Sequence, residues 1–248
     1  MRKILYILLA CLVASCGSSH YNSKNNATKA TIYAQTNGTF TYNLPCKVTN
    51  IHQEKPGKSI LLLWLHGGVH DKSLHDLSKF NHLDCCNADD SLLTYLEAKG
   101  MKAIVLMPVC HKAALDHSVD WKQCYDDVKA IMDDLIDKQL IDTDRIYLAG
   151  SSDGGTGTWD YAQDHGDTFA AALALSCENP RVTRIPVYFF NTKSEPDCTT
   201  QVDSVKKLGG NVRYQHCPQY RHGRDDQEIT TAFLDEYFSN TKQHQAKL

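Results

Sequence analysis

The run Gly150-Ser151-Ser152-Asp153-Gly154-Gly155 carries the spacing G-x-S-x-G and follows a short apolar stretch, Arg145-Ile146-Tyr147-Leu148-Ala149. A serine held between two glycines at the end of a buried strand is the pattern of a nucleophile elbow. In that strained strand-to-helix turn one hydroxyl is lifted out of the sheet into a cleft. The glycines are needed because a Cβ two residues to either side would collide with the neighbouring strand and helix. The chemistry such a hydroxyl can do is attack on an acyl carbon. It requires a base, usually a histidine held by a carboxylate, and main-chain N–H groups to hold the oxyanion.

Candidates for both needs lie elsewhere in the chain. His66-Gly67-Gly68 directly follows the apolar run ending at Leu65, and two glycines at a strand end let backbone N–H groups approach a ligand closely. The expected oxyanion donors are the N–H of Gly68 or Val69 paired with that of Asp153, the residue after the serine. Of the 12 histidines, His222 stands out because it follows the last expected strand, in Cys217-Pro218-Gln219-Tyr220-Arg221-His222-Gly223. From there a loop can return to the top of the sheet. The acid should fall between serine and histidine, in Asn191-Thr192-Lys193-Ser194-Glu195-Pro196-Asp197. That stretch offers Glu195, the first choice, and Asp197. His70, His75 and His82 with Asp71, Asp76 and Asp84 match no compact metal motif and read as a polar loop over the cleft. Neither a metal nor an organic cofactor is expected. Trp64 and Trp159 lie in expected core elements, whereas Trp121, beside Cys124, is a candidate for lining a pocket.

The elements that must position these groups alternate between strand and helix. Strands are expected over 31–35 and 39–44, then over Ser59-Ile60-Leu61-Leu62-Leu63-Trp64-Leu65, whose unbroken apolar run is that of a strand covered on both faces. A helix over 91–98 and a strand over 103–107 follow. Residues 121–139 carry Val128, Ile131, Met132, Leu135 and Ile136 at helical spacing, with acids on the outer face. After the strand before Ser152 come a helix over 155–163, strands over 170–176 and 186–190, a helix over 200–208, a strand over 212–216 and a helix over 226–238. Such alternation argues for an α/β fold with a mainly parallel sheet wrapped on both sides.

The chain has 248 residues, 42% hydrophobic and 22% charged, enough for one large domain. A net charge of −3 gives no basic face for nucleic acid. The start differs from the rest. Met1-Arg2-Lys3 is basic, an apolar core runs to Val13, and Val13-Ala14-Ser15-Cys16 closes it. This core is too short to span a bilayer and suits a signal peptide. Small residues directly before a cysteine resemble a bacterial lipobox, so residues 1–16 are expected to be a lipoprotein signal with Cys16 carrying the lipid. Residues 17–30 are Asn/Ser-rich, as a tether should be, and 31–248 form a single domain. The expected location is therefore periplasmic or cell-surface, anchored to a membrane. Beyond Cys11 and Cys16 the chain holds Cys46, Cys85, Cys86, Cys110, Cys124, Cys177, Cys198 and Cys217. An even number in an exported chain points to disulfides, with the pairing left open.

The stretch from Ile141 to Asp160, IDTDRIYLAGSSDGGTGTWD, resembles the polyhydroxybutyrate-depolymerase-like and feruloyl-esterase-like branch of the α/β hydrolases. That branch carries D-x-x-R-[IV]-Y-[LV]-x-G-x-S-x-G-G-x-G-[ST]-W. The likeness extends from about Leu61 to the end, and Asn211-Val212-Arg213-Tyr214 is similar to the family's final strand. The resemblance implies an α/β-hydrolase fold, Ser152 as nucleophile, Glu195 as acid and His222 as base. It also implies an acyl-enzyme and substrates among short acyl esters or the feruloyl and acetyl esters of polysaccharides. This chain departs from the pattern at three places. Asn191-Thr192 stands where the family has His-Gly ahead of the acid, the acid is Glu rather than Asp, and Asp153 follows the nucleophile where relatives carry an uncharged residue. Two other readings use the same residues: a serine peptidase, and a noncatalytic surface-binding lipoprotein on an eroded hydrolase fold.

Overall fold

A computed structural model describes residues 30–33, 46–68, 88, 90–110, 119–218, 222 and 229–242. The expected signal peptide and tether, Cys16, the strand over 39–44, Val69, the polar loop carrying His70, His75 and His82, and Cys85 and Cys86 lie outside the described residues.

Eight strands form one sheet in the order β1-β2-β4-β3-β5-β6-β7-β8. β1 (Ala30–Tyr33) and β2 (Cys46–Ile51) are antiparallel to each other, and β2 is antiparallel to β4 (Ala103–Pro108). From β4 onward all pairings are parallel, through β3 (Ser59–Leu65), β5 (Ile141–Ser151), β6 (Ala171–Leu175), β7 (Val187–Thr192) and β8 (Val212–Cys217). The parallel remainder agrees with expectation, whereas the antiparallel opening is made by β1 with β2, the expected strand over 39–44 lying outside the described residues. β2 is an addition. It begins directly after Pro45, and its Lys47 and Asn50 interrupt the apolar pattern that would have marked it.

The unbroken apolar run of β3 divides cleanly between two cores. Leu61, Leu63 and Leu65 face one cluster with Ile104, Leu106, Leu148 and Phe189. Ile60, Leu62 and Trp64 face the other with Val105, Tyr147, Ala149 and Phe190. On the first face lie residues of α2 (Tyr125–Asp137), α3 (Asp153–Asp164) and α4 (Thr199–Lys207), including Val128, Ile131, Met132, Trp159 and Val202. On the second lie α1 (Asp90–Ala98) and α5 (Thr231–Ser239), with Leu92, Leu96, Phe233 and Tyr237. A strand buried on both faces needs no alternation, which is why β3 reads as continuous hydrophobe.

Two helix starts differ from expectation for local reasons. The helix expected from 121 opens as a 3₁₀ turn, Trp121–Cys124, where the Asp120 carboxylate accepts from the Lys122 N–H at 3.1 Å; α2 proper begins at Tyr125. The final helix begins at Thr231 because Thr230 caps it, its hydroxyl accepting from the Phe233 N–H at 3.2 Å. No helix among the described residues is long and apolar enough to cross a membrane.

Because Leu62 is fully buried in a central strand, Leu62→Ala is expected to lower the unfolding free energy by about 2–5 kcal/mol. A drop in the urea midpoint at unchanged slope checks it.

Candidate active site

Ser152 sits between β5 and α3 with φ 59° and ψ −122°, a conformation that costs an L-residue about 1–3 kcal/mol. Its N–H donates to the Leu175 carbonyl of β6 at 3.0 Å, which ties the elbow to the neighbouring strand. The flanking glycines answer to close backbone approach. A Cβ on Gly150 would stand 2.7 Å from the Leu65 carbonyl oxygen, and one on Gly154 would collide with the same carbonyl. Gly67 is packed against the serine itself, since a Cβ there would lie 3.0 Å from that of Ser152. The loop after β3 and the elbow are thereby brought into contact.

His66 shapes that loop. It is buried, its Nδ1 lies 2.6 Å from the Gly67 carbonyl oxygen, and its Nε2 accepts the Cys110 N–H at 3.1 Å. Accepting at Nε2 leaves Nδ1 as the donor, so the ring is a neutral tautomer and holds the Gly67 carbonyl toward itself. In a trans peptide the following N–H points the opposite way, so the Gly68 N–H faces away from His66. Trp121 closes the arrangement: its Nε1 donates to the His66 carbonyl at 3.0 Å and its ring meets the imidazole edge at a centroid distance of 5.0 Å. At 1% exposure Trp121 is an anchor beneath the loop, which corrects its reading as a pocket-lining residue. Room for it comes from Gly157 of α3, where a Cβ would fall 2.7 Å from Trp121 Cβ.

Asp153 opens α3, so its N–H belongs to the first turn, whose amides have no intrahelical partner. Its carboxylate accepts the Val119 N–H at 2.8 Å. The side chain is thus occupied by the strand-end loop.

The residues expected as acid and base meet across the C-terminal edge of the sheet. Glu195 Oε1 lies 2.6 Å from His222 Nδ1, and Oε2 accepts both the Thr192 N–H at 2.9 Å and the Thr192 hydroxyl at 2.8 Å. The carboxylate is 7% exposed and the imidazole 46% exposed, so the acid is enclosed while the ring is half open to solvent. Burial acts to raise the Glu195 pKa, but His222, the Thr192 N–H and the Thr192 hydroxyl together hold it below the usual glutamate value. Ser194 adds a further tie, its hydroxyl accepting the His222 N–H at 3.0 Å. Asp197 does other work. Its carboxylate accepts the Thr199 N–H at 2.9 Å and the Thr199 hydroxyl at 2.6 Å at the start of α4, and Tyr214 OH at 3.3 Å. Asn191 is fully buried, and its Oδ1 accepts the Cys177 N–H at 3.1 Å, joining the ends of β6 and β7.

Thr192, Ser194, Asn191 and the tautomer-fixed His66 went unrecognised in the sequence. A signal for Thr192 is its position three residues before Glu195, the T-x-x-E spacing in which a glutamate side chain reaches back to the threonine N–H. A disulfide joins Cys110 to Cys124, with Cα atoms 6.5 Å apart, linking the end of β4 to the turn that carries Trp121. Cys46, Cys177, Cys198 and Cys217 are buried. Among the described residues no group of three or more His, Cys, Asp or Glu side chains could hold a metal ion.

The strand order, the crossover helices on both faces and a serine elbow after β5 define an α/β-hydrolase fold. Comparisons agree. The profile of the prolyl oligopeptidase family matches residues 117–177, which include the elbow. No curated protein matches the sequence. Among solved structures, a thermostable esterase superposes with a TM-score of 0.62 at 19% identity, covering 86% of this chain and 63% of the esterase. A ferulic acid esterase from Anaeromyces mucronatus gives 0.59 at 12% identity, covering 89% of this chain and 93% of its own. An acylaminoacyl peptidase from Pyrococcus horikoshii gives 0.56 at 12%, covering 87% and 42%. The chain thus spans less than two thirds of the length of the thermostable esterase. At these identities the likeness establishes the fold.

The depressed Glu195 pKa has a consequence for stability. The unfolded chain binds the proton first as pH falls, so the contribution of Glu195 is complete above the ordinary glutamate range of about 4.3. It is lost as pH drops through the lower folded value. Denaturant titrations from about pH 6 down to pH 3 should therefore show a shallower loss of stability for Glu195→Gln than for wild type. Parallel curves would contradict the assignment.

Proposed function

We propose that the chain is a serine hydrolase that cleaves carboxylic esters through Ser152, His222 and Glu195. The observation that carries this reading is the buried carboxylate hydrogen-bonded to His222 Nδ1 at 2.6 Å, at the same sheet edge as a serine in elbow geometry. With Nδ1 donating to Glu195, the neutral ring keeps its lone pair on Nε2, the atom that accepts the Ser152 proton as the hydroxyl attacks the ester carbonyl. The carboxylate fixes the tautomer and balances the imidazolium that forms. The oxyanion is held by the N–H of Asp153 and by that of Gly68, whose peptide His66 orients; Val69 is the other candidate donor. His222 then returns its proton to the leaving alcohol, and water repeats the sequence on the acyl-enzyme. Short acyl esters and feruloyl or acetyl esters of polysaccharides are the proposed substrates, in keeping with the ferulic acid esterase among the structural neighbours.

The prolyl oligopeptidase profile favours a second reading, peptide cleavage by the same residues. Amides and esters pass through the same tetrahedral intermediate, so turnover of p-nitrophenyl and feruloyl esters against short peptides decides between them. Against the noncatalytic reading speak the bonds made by the two residues that motivate it, Asn191 to Cys177 and Thr192 to Glu195. We also propose that residues 1–16 direct export and that Cys16 carries the lipid anchor. Cys16→Ala should then move the protein from the membrane fraction to the soluble fraction.

A fluorophosphonate probe is expected to label the wild-type protein, and Ser152→Ala to abolish labelling and lower kcat by about 10⁴-fold or more. Glu195→Gln should cripple turnover, whereas Asp197→Asn should leave most of it. The reverse ranking would overturn the choice of acid.

A further inference from the structure

We infer that Thr192 is a positioning residue whose hydroxyl and N–H together grip Glu195 and so make a glutamate serviceable as the acid of this site. The inference rests on the triad proposed above.

Glutamate has one more rotatable bond than aspartate, and each added rotor is a further way for the carboxylate to leave the imidazole plane. A single hydrogen bond to His222 would leave rotation about the terminal bond unrestrained. In this chain Oε1 is given to His222, while Oε2 receives two donors from one residue. Two donors on the second oxygen fix the plane of the carboxylate and thus the direction in which Oε1 points. Glycine at position 192, as in the family pattern, could supply only the N–H.

The surroundings set the direction of the hydroxyl proton. The Ser194 N–H points to Thr192 Oγ1 at 3.4 Å, occupying an acceptor site and leaving the Thr192 proton for the carboxylate. The Thr192 carbonyl accepts the Glu195 N–H at 3.3 Å, closing a turn over residues 192–195, and His216 Nε2 lies 3.1 Å from the same carbonyl. Thr192 itself is fully buried at the end of β7, paired in register with Cys217 of β8. The gripping residue is therefore held by the sheet rather than by the loop it organises. Asn191, by bonding Cys177, holds the preceding residue to β6. The pair that replaces His-Gly is accordingly a rebuilt support.

Three variants test this: Thr192→Val, which keeps shape and N–H but removes the hydroxyl, Thr192→Ser, which restores it, and Glu195→Gln. With p-nitrophenyl acetate, Thr192→Val is expected to lose about 10- to 100-fold in kcat, as for a misplaced catalytic group, with KM little changed. The acidic limb of its pH–rate profile should move to higher pH, because a carboxylate robbed of a donor holds the imidazolium more tightly and the base must be neutral to act. Thr192→Ser should recover most of the turnover and the wild-type limb. Independently of turnover, the strongly downfield imidazole proton expected of the Glu195–His222 bond should weaken in Thr192→Val and vanish in Glu195→Gln. A Thr192→Val protein with unaltered limb and proton signal would refute the inference, as would a Thr192→Ser protein no better than Thr192→Val. If the wild-type chain takes no fluorophosphonate label, the esterase reading fails. The proton signal would still decide whether the hydroxyl holds the pair.

Discussion

The Leu65 carbonyl, at the end of β3, lies so close to the backbone of β5 and α3 that neither Gly150 nor Gly154 could carry a side chain. This contact is the constraint on which the rest of the site depends. Between these two glycines the chain leaves β5 through Ser152, whose φ is positive. Two residues after Leu65, Gly67 packs against the serine. The strain of about 1–3 kcal/mol at the elbow is tolerated because the sheet around it is packed on both faces. Ile146 and Leu148 point into one core and Tyr147 and Ala149 into the other. Strand β5, central and parallel to both neighbours, cannot relax without disturbing both cores.

A second layer fixes the loop from beneath. His66 receives the Cys110 N–H, Cys110 is bonded to Cys124, and Trp121, in the turn ending at Cys124, returns a hydrogen bond to the His66 carbonyl. This circuit joins β3, β4 and the entry to α2, and α3 accommodates it only because residue 157 is glycine. Closing a loop of this length by a disulfide removes unfolded-chain entropy worth about 3 kcal/mol. Its larger effect is local: it holds Trp121 against His66, and His66 sets the peptide that directs the Gly68 N–H.

How much of this could be read from sequence follows from how local each cause is. The elbow was legible because its glycines answer to steric contacts that recur wherever a strand turns into a helix around a nucleophile. β3 was legible because burial on both faces leaves an unbroken apolar run. The order of serine, acid and histidine directed attention to Glu195 and His222, which the fold brings to 2.6 Å. Glu195 was the first choice over Asp197, but the contacts that separate them were not legible. Both lie in one loop, and what separates them is that Asp197 is consumed by Thr199 at the start of α4. Trp121 misled because an aromatic near a strand end suits a pocket as well as an anchor, and its partner, the His66 carbonyl, is 55 residues away. β2 was hidden by Lys47 and Asn50, on a strand that gains its place by antiparallel pairing with β4.

Asn191 and Thr192 show why a departure from a family pattern needs its bonds counted before it is called decay. An ionised carboxylate at 7% exposure is costly unless its lone pairs are satisfied. Glu195 meets that condition with three donors, two of them from Thr192. An enclosed, fully hydrogen-bonded glutamate aimed at a half-exposed imidazole is the arrangement that the proposed triad requires. The same donors that offset burial also keep the group charged, and charge is what a histidine must have beside it to become a cation during proton transfer.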